Sequence, residues 1–319
     1  MLFKNLAATV ALSVEQYADV DQFRESERYV RAESIPLVAG AFAIARASLA
    51  LPGCTLSLVR TFPRIINGYD TTGRLIIVVP MNGTSSARIN GQPIGQSLIV
   101  LKGKVNCTVY EPEGRVVAVL SICSEALDEK WRQCNAGYFL FVLPDALLAC
   151  LQSSIRTALQ LATDDPHIVN TAEVSSTIQQ TILNALDVVL KTRDRGISAP
   201  PRSLARYKHL VDHIDFRLCQ GPMTDLKCQE LADEIGISVR TLQSAVNVVC
   251  GSGLHRYSRL RRLWSVRRQL RMGFPGLTVK ASAWAHGFVH MSEFSDSYKK
   301  AFGELPSATL LNAQRRAVA

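Results

Sequence analysis

Arg240, Thr241, Gln243, Ser244 and Asn247 crowd into one short stretch of the C-terminal third. Arginine and glutamine side chains can bond base edges in the major groove of duplex DNA, so a helix presenting them outward could read sequence. The elements needed to hold such a helix are written around them. A first helix carries Leu231, Ala232 and Ile235, Gly236 follows, and Ser238 opens a second helix. A small residue at Ala232 lets the two helices cross closely, and Gly236 permits a left-handed turn. Ser238 caps the second helix and Leu242 drops into the shared core, which leaves the five polar residues on or near the outer face.

A second copy of this helix-turn-helix pattern follows about fifty residues later. Ala283 and Gly287 repeat the spacing of Ala232 and Gly236, and Phe288, Phe294, Tyr298 and Phe302 supply an aromatic core stripe. Between the copies, residues 254–272 hold seven arginines and no acid. Leu260, Leu263, Trp264 and Leu270 give that segment an apolar face, so it reads as a basic amphipathic connecting helix. Two units spaced by one rigid helix could enter successive major-groove segments on one face of a duplex.

These residues resemble the AraC/XylS class of transcription regulators over about residues 203–311. The carriers are Leu231, Ala232, Gly236, Ser238 and Leu242, then Gly251 and the run Tyr257-Ser258-Arg259-Leu260-Arg261. A second set is Gly287-Phe288, Phe294, Tyr298 and Ala301-Phe302-Gly303-Glu304-Leu305-Pro306. The resemblance implies a first recognition helix from Ser238 and a second from His290. By position, the DNA-contacting set it implies is Ser238, Arg240, Thr241, Gln243, Ser244 and Asn247, then His290, Met291, Ser292, Ser295 and Lys299. Several positions depart from the family habit. Ser244 and Asp296 stand where arginine is common, Val246 where an aromatic is common, and Ser282 and His286 where apolar residues are usual. An acid at Asp296 would repel a phosphate, so the first unit is expected to carry more of the specificity.

The charge distribution agrees. Residues 1–200 hold 18 basic and 18 acidic groups, whereas residues 201–319 hold 18 basic against 9 acidic, so the whole net charge of +9 lies in the C-terminal part. A basic module joined to a neutral one fits nucleic-acid binding by one half. The neutral half, residues 1–192, reads as a sensor or dimerisation domain. Short Val/Ile/Leu-rich runs at 55–62, 74–79, 97–101, 105–110 and 115–122 predict strands. Asn67-Gly68, Asn82-Gly83 and Asn90-Gly91 predict tight turns between strands. A small antiparallel barrel over about 50–125 is expected, cupin-like by resemblance, followed by helices over about 145–191 with Asp145 as the first cap. In the second of these, Val174, Ile178, Ile182, Ala185 and Val189 form a stripe that serves either the core or a dimer seam. Residues 193–202, polar with Gly196 and Pro200-Pro201, read as a linker. Ser203 can cap the helix beyond it, and Gly221-Pro222 can stop that helix. The fold class expected is α+β and multidomain, with an all-α double helix-turn-helix at the C-terminal end.

Other constellations carry less. No histidine precedes His167, so a histidine-rich metal site cannot be built inside the barrel. His209 and His213 stand i, i+4 without a cysteine or carboxylate cluster, and read as a solvated or capping pair. The eight cysteines (54, 107, 123, 134, 150, 219, 228 and 250) show no C-x-x-C pair and read as free thiols. Trp131, Trp264 and Trp284 read as packing anchors. Arg60, Arg74 and Arg88 could pair an anionic effector, though surface placement is the commoner fate of such arginines. No convergent catalytic set, cofactor motif or membrane-length apolar run is present, and the N-terminus reads as ordinary. The sequence therefore implies a non-enzymatic, cytoplasmic regulator without a cofactor, an activator by family habit. Its expected partners are double-stranded DNA, RNA polymerase, a small effector and a second copy of itself. The alternative is a protein–protein adaptor whose helix-turn-helix region has drifted.

Overall fold

The computed structural model describes residues 3–27, 31–38, 43–82, 86–127, 136–191, 201–219 and 228–318. Ten strands form one curled antiparallel sheet: β1 (Leu12–Tyr17), β2 (Arg31–Pro36), β3 (Ile44–Leu51), β4 (Cys54–Arg60), β5 (Arg64–Pro80), β6 (Arg88–Ile89), β7 (Gln92–Pro93), β8 (Leu98–Glu111), β9 (Val116–Ile122) and β10 (Gly137–Phe141). A short helix, α1 (Val20–Glu25), follows β1. The main path runs β1-β3-β4-β9-β5-β8-β6-β7, with β2 on β5 and β10 on β8. The sheet therefore reaches beyond the 50–125 span expected for a barrel, at both ends. Its early strands escaped the sequence reading because β1 and β2 carry polar residues at alternate positions and lack the dense Val/Ile runs of the later ones.

Two of the expected turns have different fates. Asn90-Gly91 turns β6 into β7 with φ of +51° and +82°, the positive values that tight hairpins need. Asn67-Gly68 is no turn at all. It lies inside β5, where Gly68 has φ +67° and the pairing with β8 slips between Asn67 and Tyr69. The chemistry that makes a turn also makes a bulge, and a bulge bends a strand without ending it. For the same reason the runs 97–101 and 105–110 belong to one long strand, β8. Gly83 of the third expected turn lies outside the described residues.

The sheet's outer face is apolar and its inner face mixed. Leu49, Leu56, Leu58, Leu75, Ile77 and Leu120 pack on α2 (Asp145–Asp164) and α4 (Ala172–Lys191), with α3 (Pro166–Val169) between them. Asp145 is the first helical residue of α2, and the cap is Pro144, which makes no side-chain capping bond. In α4, Ile182 and Leu186 are buried in this core, and Ile178 and Ala185 pack against it. The stripe expected as core or seam is thus largely core; the Val189 side chain lies outside the described set. Alternate residues of the same strands, such as Ser48, Ser57 and Val59, face a cavity of about 600 Å³ inside the curl.

Among the described residues the C-terminal region is built of helices: α5 (Arg202–Cys219), α6 (Cys228–Ile235), α7 (Val239–Cys250), α8 (Leu254–Met272), α9 (Val279–Ala285), α10 (Met291–Phe302) and α11 (Pro306–Val318). Ser203 falls inside the first turn of α5, which begins from Pro201. The expected stop at Gly221-Pro222 and most of the 193–202 linker lie outside the described residues. Trp264 is buried as expected, whereas Trp284 is 54% exposed with the Lys280 ammonium 4.4 Å above its ring; Trp131 lies outside the described set. Burial pushes the Cys54 thiol up to about 11 and the Cys107 thiol up to about 12, so both stay protonated at neutral pH. Among the described residues, no helix is long and apolar enough to cross a membrane.

Candidate nucleic-acid interface

The first unit is α6 and α7. Ala232 is fully buried at the crossing, Gly236 takes φ +72°, and the Ile237 amide closes the turn on the Ala232 carbonyl at 2.9 Å. Ser238 then caps α7, its Oγ accepting from the Thr241 amide at 3.1 Å and lying 2.9 Å from Thr241 Oγ1. Leu242, Ala245, Val246 and Val249 turn inward with no exposure. That inward set forces the rest of the helix out: Arg240, Gln243 and Asn247 are exposed, and Thr241 and Ser244 are half-buried. The geometry brings the five residues of the first set onto one outward side. Ser238 is exposed too, but its hydroxyl is committed to the cap.

The second unit is α9 and α10, built on the same plan with different packing. Thr278 caps α9 through the Ala281 amide, Ala283 is fully buried, and Gly287 takes φ +77°. The rings of Phe288, Phe294, Tyr298 and Phe302 stack in sequence at 4.9, 5.7 and 4.6 Å between centroids. His290 precedes α10 without a side-chain capping bond. Ser292, Asp296, Lys299 and His290 are exposed, whereas Met291 and Ser295 are half-buried and Met291 packs against the core. The second expected set is therefore split between surface and core. Ser282 is fully buried with no partner for its hydroxyl among the described residues, while the His286 ring meets the Ser282 carbonyl at 2.8 Å.

The connecting helix α8 is where expectation and structure part. Five of its seven arginines turn toward the N-terminal half. Arg267 pairs with Asp21 at 2.6 Å, Arg271 with Asp21 at 2.5 Å and with Glu25, Arg261 with Glu33, and Arg268 lies 4.0 Å from Glu33. Arg256 donates to the Leu37 carbonyl at 3.4 Å. The sequence placed these charges on a DNA-facing module; the fold spends much of them on acids of α1 and β2. Isolated arginine counts could not show this, because the acids lie more than two hundred residues away.

The same face joins the two halves in other ways. Tyr257 is fully buried, its hydroxyl donating to Asp215 at 2.7 Å and accepting from Asn67 at 3.4 Å. Burial raises the Asp215 pKa, against the pull of Arg261, which sits 3.1 Å away. At the far end of α7, Gly251 caps the helix at φ +65°, and a Cβ there would fall within 2.4 Å of three Tyr110 ring atoms. Arg88 donates to the Val248 carbonyl at 3.3 Å. The first unit is thus mounted on the sheet by the C-terminal end of α7, opposite the end that carries Arg240.

The remaining expected candidates fall elsewhere. Arg60 lies 4.8 Å over the Phe3 ring, Arg74 bonds Ser121, and Arg88 sits at the domain contact; none of the three lines the cavity. His213 approaches Glu234 at 3.4 Å and His209 is exposed. Among the described residues, no group of three or more metal-ligating side chains converges.

Residues 231–312 match the family described as "Helix-turn-helix domain". The chain is 32% identical over 103 residues to the probable thc operon regulatory protein of Rhodococcus erythropolis, a stretch that is 31% of this chain and 29% of that protein. It is also 32% identical over 112 residues to the XylDLEGF operon transcriptional activator of Pseudomonas putida, covering 34% of this chain and 33% of that one. The similarity thus spans about a third or less of the length of these curated relatives. Among solved structures, the AraC-like transcriptional activator CuxR aligns over 86% of this chain and 100% of its own, at 14% identity and a TM-score of 0.44.

Proposed function

From C-terminal helices that form a double helix-turn-helix domain of the AraC/XylS type, we propose that the chain is a sequence-specific DNA-binding transcription regulator. Its N-terminal half, residues 1–192, answers a small effector, and residues 203–311 grip duplex DNA across a linker at 193–202. The observation that carries this reading is the outer side of α7. Arg240, Gln243 and Asn247 project from a helix whose other side is fully buried and whose N-terminus is capped, the arrangement that major-groove readout requires. Ser238, Thr241 and Ser244 flank them as backbone or base contacts. In the second unit His290, Ser292 and Lys299 meet phosphates, while Met291 and Ser295 hold the helix in place.

Activation, through contact with RNA polymerase, is the regulatory sign favoured by the name of the Pseudomonas putida relative. A homodimer in the cytoplasm completes the reading. Because Ile182 and Leu186 of α4 are buried in the chain's own core, a dimer would use the opposite side of that helix.

Selection of bound duplexes from a random-sequence pool, followed by gel-shift titration, tests the reading. An enriched motif is expected, with its preference lost in the Arg240→Ala, Gln243→Ala double variant. No enrichment, or an unchanged preference in the double variant, defeats the regulator reading and leaves the adaptor.

A further inference from the structure

The cavity inside the curled sheet has two chemically distinct regions. Along β5 and β8, Ile66, Ile76, Val78, Ile99, Leu101 and Val109 make an apolar wall. One step along the same two strands and on the same side, Arg64 pairs with Glu111 across the ladder, next to the Ile66 and Val109 pair. Arg64 Nε donates to Glu111 at 2.7 Å, and Arg115 meets the other oxygen of the same carboxylate at 3.0 Å. Two guanidiniums share one carboxylate there. Burial works to raise the Glu111 pKa, yet Arg64 and Arg115 outweigh it and hold the carboxyl below its usual range.

Of the other acids at the cavity, Glu27 and Glu25 have cationic partners, whereas Glu15 has a hydroxyl. Arg46 pairs with Glu27 at 3.2 Å, Glu15 accepts from the Tyr17 hydroxyl, and Glu25 at the rim pairs with Arg271. The cluster of Arg64, Arg115 and Glu111 taken by itself holds two guanidiniums against one carboxylate, with Glu27 also acting on Arg64 through space. Arg64 is held between the rings of Phe23 and Phe62, 5.8 and 5.3 Å away, and bonds Glu111 through Nε. Among the described residues its two terminal nitrogens have no acceptor. They form the planar fork that suits a second carboxylate.

We infer that this cavity binds an amphiphilic organic monocarboxylate, its head on the terminal nitrogens of Arg64 and its hydrocarbon body along the β5 and β8 wall. The inference rests on the effector-responsive reading and gives it a ligand class. The cavity's volume of about 600 Å³ is in the range of small-molecule sites. Sequence reading raised Arg60, Arg74 and Arg88 as groups that could pair an anion, with surface placement their commoner fate. Strand parity and the β8–β9 turn instead put Arg64 and Arg115 at the cavity.

Isothermal titration of the full chain without DNA, at mildly alkaline pH, would compare decanoate, decanol and decyltrimethylammonium. Decanoate should bind about ten-fold tighter than decanol or better, the worth of one charge-assisted hydrogen-bonded contact, and the cation should not bind. Arg64→Gln should reduce decanoate to the level of decanol while leaving decanol unchanged, and Ile99→Trp should abolish both by filling the wall. Equal binding of decanol and decanoate, no binding of any probe, or a carboxylate preference that survives Arg64→Gln overturns the inference. The wild-type comparison decides by itself should Arg64→Gln fail to fold. Since no DNA is present, a chain that binds decanoate but selects no duplex would lose the regulator reading and keep the cavity assignment. A chain that selects duplexes but ignores decanoate would do the reverse.

Discussion

In the first helix-turn-helix unit, aliphatic residues around Leu242 fill the core and an arginine, a glutamine and an asparagine stand outside. In the second, aromatic rings from Phe288 to Phe302 fill the core, and serine, aspartate and lysine stand outside. Both keep the buried alanine and the left-handed glycine, because close helix crossing and a tight turn need them whatever the helix touches. The difference lies in what each unit is fastened to. The first is seated on the sheet through Gly251 and Tyr110. The second is closed by Tyr298, whose hydroxyl donates to Thr309 at 2.9 Å, and is tied through Arg267 of α8 both to Glu304 at 2.7 Å and to Asp21 of α1 at 2.6 Å. One scaffold can thus hold a reading surface in one copy and a positioning surface in the other.

The sharpest way to break this contrast is to remove the aromatic core. Phe294→Ala should cost about 3–5 kcal/mol of stability, read as a lowered midpoint in urea unfolding. A loss below 1 kcal/mol would mean that the second unit does not depend on its ring stack. Gly251→Ala attacks the seat of the first unit. A Cβ at positive φ against the Tyr110 ring should cost about 1–3 kcal/mol, and Tyr110→Ala should relieve part of it in a double-mutant cycle. Additive losses would show that the two residues do not press on each other.

Smaller effects concern DNA. Arg240→Ala should lower preference for the selected motif by about 1–3 kcal/mol at one base position, measured by competition with single-base variants; a uniform loss across all variants would make Arg240 a phosphate contact. Asp296→Lys should raise affinity without changing the preferred motif and steepen the salt dependence by about one unit of slope. An unchanged slope would place α10 away from the backbone. Last, Ser295→Ala, at a half-buried position, should shift specificity by less than about 0.5 kcal/mol. A loss as large as that of Arg240→Ala would abolish the ranking of the two units.

Much of the helical half was legible because its signals are local. The cap at Ser238, the turn at Gly236 and the inward Leu242 all lie within one supersecondary unit, so neighbours in sequence suffice to define them. The sheet was less legible. Asn67-Gly68 spells a turn locally, and only the partner strand β8 makes it a bulge. Trp284 was expected to pack, but its ring stays more than half exposed beside Lys280. Arg64 and Arg115 were passed over for Arg60, Arg74 and Arg88, since which face a strand residue takes depends on register, and a one-residue slip reverses it.

By itself, the sequence determined the two helix-turn-helix units, their connecting helix and the polar residues expected on the outside of α7. These follow from helical periodicity and turn chemistry, which act over a few residues. The tertiary structure alone decided how the charge is used. The excess of basic groups beyond residue 200 looked like a nucleic-acid footprint, yet Asp21, Glu25 and Glu33 hold Arg261, Arg267 and Arg271 against the N-terminal half. It also set Arg64 and Arg115 around one carboxylate in a cavity. Ion pairs act through space at a few ångströms, and residues far apart in the chain come that close only when the fold is complete.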